Sequence, residues 1–243
     1  MLLVTALYDI DGGSLSFDRY LEELSKLLSM GVPFWVYCDP AHRTRVEACV
    51  PDGADVVVMA VPLSEFRMYS MIMQADPALP LSRSPGKDTL AYLALINTKL
   101  EFTFRAAVMR PKEPMLAFID AGITHVIKDL DLAGQRLRAL GRVATERALF
   151  PGIHASQALG PEASMAAVSW RFCGGFFASP ASLLPELCSC CEEVVRQLLD
   201  LGRISWEVNV WAVAEQRGAP IEWYAGGHDD RLLNWPGAPQ PRC

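Results

Sequence analysis

The first sixty or so residues alternate short apolar runs with one-faced helical spacing, a pattern that few architectures other than an α/β sheet accommodate. Leu2 to Tyr8 is an apolar run interrupted only by Thr5. Ser16 or Asp18 can then cap a helix that places Tyr20, Leu21, Leu24, Leu27 and Leu28 on one face, and Gly31 ends it. Pro33 to Asp39 predicts a second strand, residues 44 to 48 a short helix, and the β-branched stretch Ala54 to Pro62 a third strand. A β-α-β-α-β order implies a doubly wound sheet that binds its ligand at the carboxyl ends of the strands.

Composition sets the limits. With 243 residues, 51% of them hydrophobic and 21% charged, the chain has the apolar surface for one large packed domain. We expect that domain to span residues 1–235, with 236–243 as a frayed tail. A net charge of -6 supplies no basic face for nucleic acid. The opening run has no basic flank and is too short to span a bilayer, which predicts a cytoplasmic protein without a membrane span. Seven cysteines, an odd number, fit reduced thiols, and the cluster of Cys188, Cys190 and Cys191 lacks the second C-x-x-C pair of a zinc site. G-x-G-x-x-G, the P-loop, the G-x-S-x-G elbow and H-E-x-x-H are all missing, which argues against the usual dinucleotide, P-loop, hydrolase and zinc-peptidase chemistries.

One apolar run delivers an acid. Met115 to Ile119 ends at Asp120-Ala121-Gly122, which places a carboxylate at the end of a buried strand or opens a turn. Upstream, residues 64 to 75 are amphipathic, Pro77 to Gly86 form a Pro/Ser loop suited to ordering over a ligand, and Asp88 to Met109 read as one long helix carrying Asn97 and Lys99. Asn97 offers hydrogen bonds to sugar or phosphate and Lys99 a point charge to a diphosphate. Downstream, Asp129 and Asp131 cap a helix over 130 to 140, and residues 152 to 162 form an irregular excursion. A strand over 166 to 173 runs into Gly174 and Gly175, which permit close approach of backbone to a ligand. Glu207 opens a helix where it can serve as a general base. Ile221 to Tyr224 form the last strand, and either His228 or Asp230 beyond it can join Asp120 on Mg²⁺ or Mn²⁺. Asp9 and Asp11 leave the first strand within reach of a base or ribose.

Leu3 to Ile10, Tyr92 to Lys99 and Phe118 to Ile123 together resemble the HtrL/YibB-like bacterial proteins, a group similar to GT-A-type glycosyltransferases. The likeness continues through Gly174 to Phe177 and Trp206-Glu207. It implies a single GT-A-like (Rossmann-like) mixed sheet flanked by helices, and transfer of a sugar from a nucleoside-diphosphate sugar to a glycan or other hydroxyl acceptor. It also implies Asp120 as half of an Asp-x-Asp metal motif, with Gly122 in place of the second acid, and donor contacts from Thr5, Asp9, Asn97, Lys99, Gly174 and Gly175. A nucleotidyltransferase and a non-catalytic nucleotide-sugar or partner-binding protein are the alternatives.

Overall fold

A computed structural model of the chain describes residues 1–12, 15–155 and 166–240. Strand β1 (Leu2–Leu7) leads to helix α1 (Phe17–Leu28), β2 (Phe34–Cys38), the short helix α2 (Arg43–Glu47) and β3 (Val56–Ala60), in the order the apolar runs predict. Ser16 is the cap of α1, its side chain accepting from the Arg19 N–H. Helices α3 (Arg67–Ala75), α4 (Leu90–Asn97) and α5 (Lys99–Met109) precede β4 (Met115–Ile119) and α6 (Leu130–Leu140). Strands β5 (Ala148–Gly152) and β6 (Phe176–Pro180), helices α7 (Leu184–Asp200) and α8 (Glu207–Gln216), and strand β7 (Ile221–Ala225) follow.

Hydrogen bonding orders the strands β3-β2-β1-β4-β6-β5-β7. The first four run parallel, β6 is antiparallel to β4 and β5, and β7 is parallel to β5. The protein is thus an α/β domain built on one mixed sheet flanked by helices, compatible with the Rossmann-like expectation. On one face Leu2, Val4, Tyr37 and Phe118 pack with residues of α3, α4, α5, α7 and α8; on the other Leu3, Phe34, Val36 and Ile119 pack with α1 and α6. Burial on both faces is why β1, β2 and β4 read as near-continuous apolar runs.

The structure departs from the sequence reading in four places. The helix expected over 88 to 109 breaks at Thr98, whose hydroxyl donates back to the Ala94 carbonyl at 2.8 Å while its N–H bonds Leu95 O at 3.0 Å; such back-bonding bends a helix. No strand forms over 166 to 173 in the described residues. Asn209 Oδ1 accepts the Ser169 N–H at 2.8 Å, and Trp170 takes a left-handed φ of 52°, so the ladder starts only at Phe176. Strand β5 has only three apolar residues before Pro151 and Gly152, which fall within it and mask it as a strand in the sequence. Residues 236–240 do not fray: Ala238 is buried, and the Pro239 carbonyl accepts from Arg136 Nε at 3.0 Å. Residues 241–243 of the expected tail, and 156–162 of the expected excursion, lie outside the described residues. Among the described residues no helix is long and apolar enough to cross a membrane.

Candidate functional site

Strand β1 connects to β2 on one side, and the chain returns to pair β4 on the other only after β3, so the carboxyl ends of β1 and β4 flank a topological switch point. A cavity of about 570 Å³ opens there, a size that suits a nucleotide-sized ligand. Tyr8 and Asp9 reach it from β1, Asp120 from β4, Lys99 from the first turn of α5 and Glu207 from the first turn of α8.

Asp120 divides its work between backbone and side chain. Its N–H donates to the Gly175 carbonyl at 3.0 Å, extending the β4 ladder, and its own carbonyl accepts from the Ile123 N–H at 3.0 Å, opening the turn that Asp-Ala-Gly predicts. The carboxylate goes elsewhere: Oδ1 lies 2.9 Å from the Lys99 ammonium.

That ammonium has one acceptor for each of its hydrogens. It stands 2.9 Å from Asp120 Oδ1, 3.0 Å from Glu207 Oε1 and 2.9 Å from the Gly174 carbonyl oxygen. Burial acts to lower its pKa, but the Asp120 and Glu207 charges outweigh that and hold it above the ordinary lysine value. A lysine at the start of α5 opposes the helix dipole, whereas a glutamate at the start of α8 is favoured by it, and the ion pair joins the two helix starts.

Two glycines shape the space around the carboxylates. A Cβ at residue 174 would stand 2.3 Å from Glu207 Oε1, so Gly174 admits the glutamate side chain. A Cβ at residue 122 would stand 2.6 Å from Cε1 of Tyr20, which leaves no room for the second acid of an Asp-x-Asp pair. Gly175 lines the cavity too, next to Asp120 Oδ2 and Ile123.

His228 shares this cavity, its ring edge-on to Trp170 at 4.6 Å. Partial desolvation, reinforced by the Lys87 charge, lowers its pKa, and Asp229, Glu207 and Asp120 oppose the shift without cancelling it. Asp230, the other expected partner of Asp120, is used instead to cap a turn, with Oδ1 accepting from the Lys128 N–H at 2.7 Å.

Two expected donor contacts stand apart from the cavity. Asn97 spends both amide hydrogens on backbone carbonyls, Leu93 at 2.8 Å and Ser205 at 2.9 Å, and so fastens α4 to the segment before α8. Thr5 is wholly buried within β1, and its hydroxyl has no hydrogen-bond partner among the described residues. Asp9 does line the cavity, with His42 Nε2 3.8 Å from its carboxylate.

Lys87 is a cavity residue not among the site residues expected from the sequence. Ser82 and Ser84 of the Pro/Ser segment, with Lys87 and Asp88 just after it, form part of the wall. The signal was there: Lys87 is a cation set directly after Pro85-Gly86 and just before the Thr89 cap of α4.

Among the described residues no group of three or more His, Cys, Asp or Glu side chains is arranged to hold a metal ion. Cys188, Cys190 and Cys191 are free thiols on α7, and burial, aided by Glu101 and Glu192, pushes the Cys188 thiol up to about 12. Asp120 and His228 both line the cavity.

Fold and cavity together define an α/β domain with an ion-paired polar pocket at its switch point. Comparison with protein-family profiles and with curated proteins gave no match to this chain.

Proposed function

We propose that the protein is a glycosyltransferase that moves a sugar from a nucleoside-diphosphate sugar to a hydroxyl of a glycan or related acceptor. The observation that carries this reading is the Lys99 bridge, which holds Asp120 and Glu207 together in a cavity at the sheet's switch point. The resemblance of Leu3 to Ile10, Tyr92 to Lys99 and Phe118 to Ile123 to HtrL/YibB-like proteins, and through them to the GT-A type, supports the same reading. Free thiols among the described cysteines support a cytoplasmic setting.

In such a transfer the bond from sugar C1 to the diphosphate oxygen breaks as a bond from C1 to the acceptor oxygen forms. If configuration inverts, Glu207 takes the acceptor's proton. Asp120, with His228, would hold Mg²⁺ or Mn²⁺, which supplies positive charge against the leaving diphosphate. The wall supports such an added charge, because Asp9, Asp88, Asp120 and Glu207 outnumber Lys87 and Lys99. Lys99 acts as the positioning residue for both carboxylates, and Gly175 brings backbone beside the donor.

A second reading is favoured by one observation. Glu207 is only 7% exposed and already paired with Lys99, which suits a protein that binds a nucleotide sugar without transferring it. A thermal-shift panel of UDP, GDP, CMP and their sugars, with and without Mn²⁺, tests the shared premise, since a ligand of the native state raises its apparent stability. We expect a metal-dependent shift that is lost in Asp120→Ala and kept in Asp129→Ala; no response to any compound would overturn both readings.

A further inference from the structure

The cavity holds two lysines in its described wall, and they differ in what their ammonium groups already touch. Lys99 has its three hydrogens met by Asp120, Glu207 and the Gly174 carbonyl, which leaves none for an incoming anion. Lys87 has no carboxylate within ion-pairing distance among the described residues, and its Nζ lies 5.5 Å over the ring of Tyr92, another residue of the cavity wall.

The backbone that carries Lys87 is fixed. The Lys87 N–H donates to the Ser84 carbonyl at 3.0 Å, the Asp88 N–H to the same carbonyl at 2.7 Å, and the buried Asp88 carboxylate accepts the Ser84 N–H at 2.9 Å. Thr89 then ties the next position down, its hydroxyl donating to the Asp11 carbonyl at 2.5 Å. A charged head on a pinned turn, lining a cavity and without an ion-pair partner among the described residues, is the arrangement that receives an oxyanion.

Opposing charge makes the assignment sharper. Asp9, Asp88, Asp120 and Glu207 repel an anion entering the cavity, so a cation with no acidic partner is what an anion needs there. We propose that Lys87 is the anion-binding residue of this cavity, its ammonium taking the phosphate oxygens of a diphosphate, and that Lys99 makes no contact with the phosphates. The inference rests on the nucleotide-sugar reading for the identity of the diphosphate, and it reassigns to Lys87 the phosphate contact expected of Lys99. Lysine meets phosphate as a flexible point charge, which suits a diphosphate group whose position shifts as its sugar leaves.

Calorimetric titration of inorganic pyrophosphate, and separately of UDP and GDP, into the full chain tests the proposal. Lys87→Met is expected to weaken binding about ten- to hundred-fold, the loss of one charge-assisted hydrogen bond. Lys87→Arg should retain most of the affinity, and Lys112→Met, which removes the same charge from an exposed loop, should match the wild type. Unfolding midpoints of the Lys87 variants should stay at the wild-type value, because no ion pair is broken. Pyrophosphate binding to Lys87→Met as tight as to the wild type would overturn the proposal, as would a wild-type protein that binds neither pyrophosphate nor a nucleoside diphosphate. Pyrophosphate binding that depends on Lys87, in a protein that turns over no nucleotide sugar, would uphold the anion site while the transferase reading fell.

Discussion

Lys99 and Glu207 are 108 positions apart in the sequence and 3.0 Å apart in space. Their ion pair joins the start of α5 to the start of α8, and Asp120 completes it from the end of β4. Removing the cation leaves Glu207, 7% exposed, without its partner. We expect Lys99→Met to lose about 3–5 kcal/mol of stability, the usual result of breaking one side of a buried pair. Urea unfolding measures this, and Glu207→Gln should lose less because Lys99 keeps Asp120. A Lys99→Met protein as stable as the wild type would show that the bridge is not structural.

Gly174→Ala sets a methyl group against the same glutamate, with Cβ 2.3 Å from Oε1. The expected cost is about 1–3 kcal/mol, typical of overpacking. Glu207→Ala in the same chain should recover part of it, so the two changes are not additive. Additive losses in a double-mutant cycle would place the strain somewhere other than at the carboxylate.

Gly122→Asp rebuilds the second acid of an Asp-x-Asp pair on paper. The ring of Tyr20 stands 2.6 Å from where that Cβ must go, so we expect a loss of about 1–3 kcal/mol and no gain in Mn²⁺ affinity. Tighter Mn²⁺ binding with unchanged stability, read by calorimetry and thermal unfolding, would contradict this.

His228 is held below the ordinary histidine value in the folded chain because it is partly desolvated beside Trp170 and repelled by Lys87, while Asp229, Glu207 and Asp120 pull the other way. A histidine whose pKa is lower folded than unfolded takes up protons on unfolding. Its contribution to stability is therefore intact above pH 6.5 and is lost as pH falls below that value. Lys87→Met should move its pKa upward, as followed by the NMR shift of the ring proton. A wild-type His228 that titrates at 6.5 or above would contradict this account of its desolvation and of the Lys87 charge.

Much of the fold was legible because the buried parallel strands leave continuous apolar runs, and β1, β2, β3 and β4 lie where those runs fall. Asp120 was legible for the same reason, since a run that stops at an acid puts that acid at a strand end. The Lys99 to Glu207 pair was not, because a contact across 108 positions has no local periodicity to betray it. The break at Thr98 and the irregular segment at 168–173 depend on side-chain bonds to backbone, from Thr98 itself and from Asn209, which local propensity does not register. Lys87 was hidden by its setting, a Pro/Ser stretch in which a charged residue reads as solvated loop.

The most direct test of the central claim is release of nucleoside diphosphate from a panel of nucleotide sugars, measured for the wild type and for Glu207→Gln with Mn²⁺ present. The account predicts slow release from one donor by the wild type, faster with a sugar acceptor, and a fall of about 10²–10⁴-fold in Glu207→Gln, the range that a general base contributes. Release from no donor, or equal release by the two proteins, would contradict it.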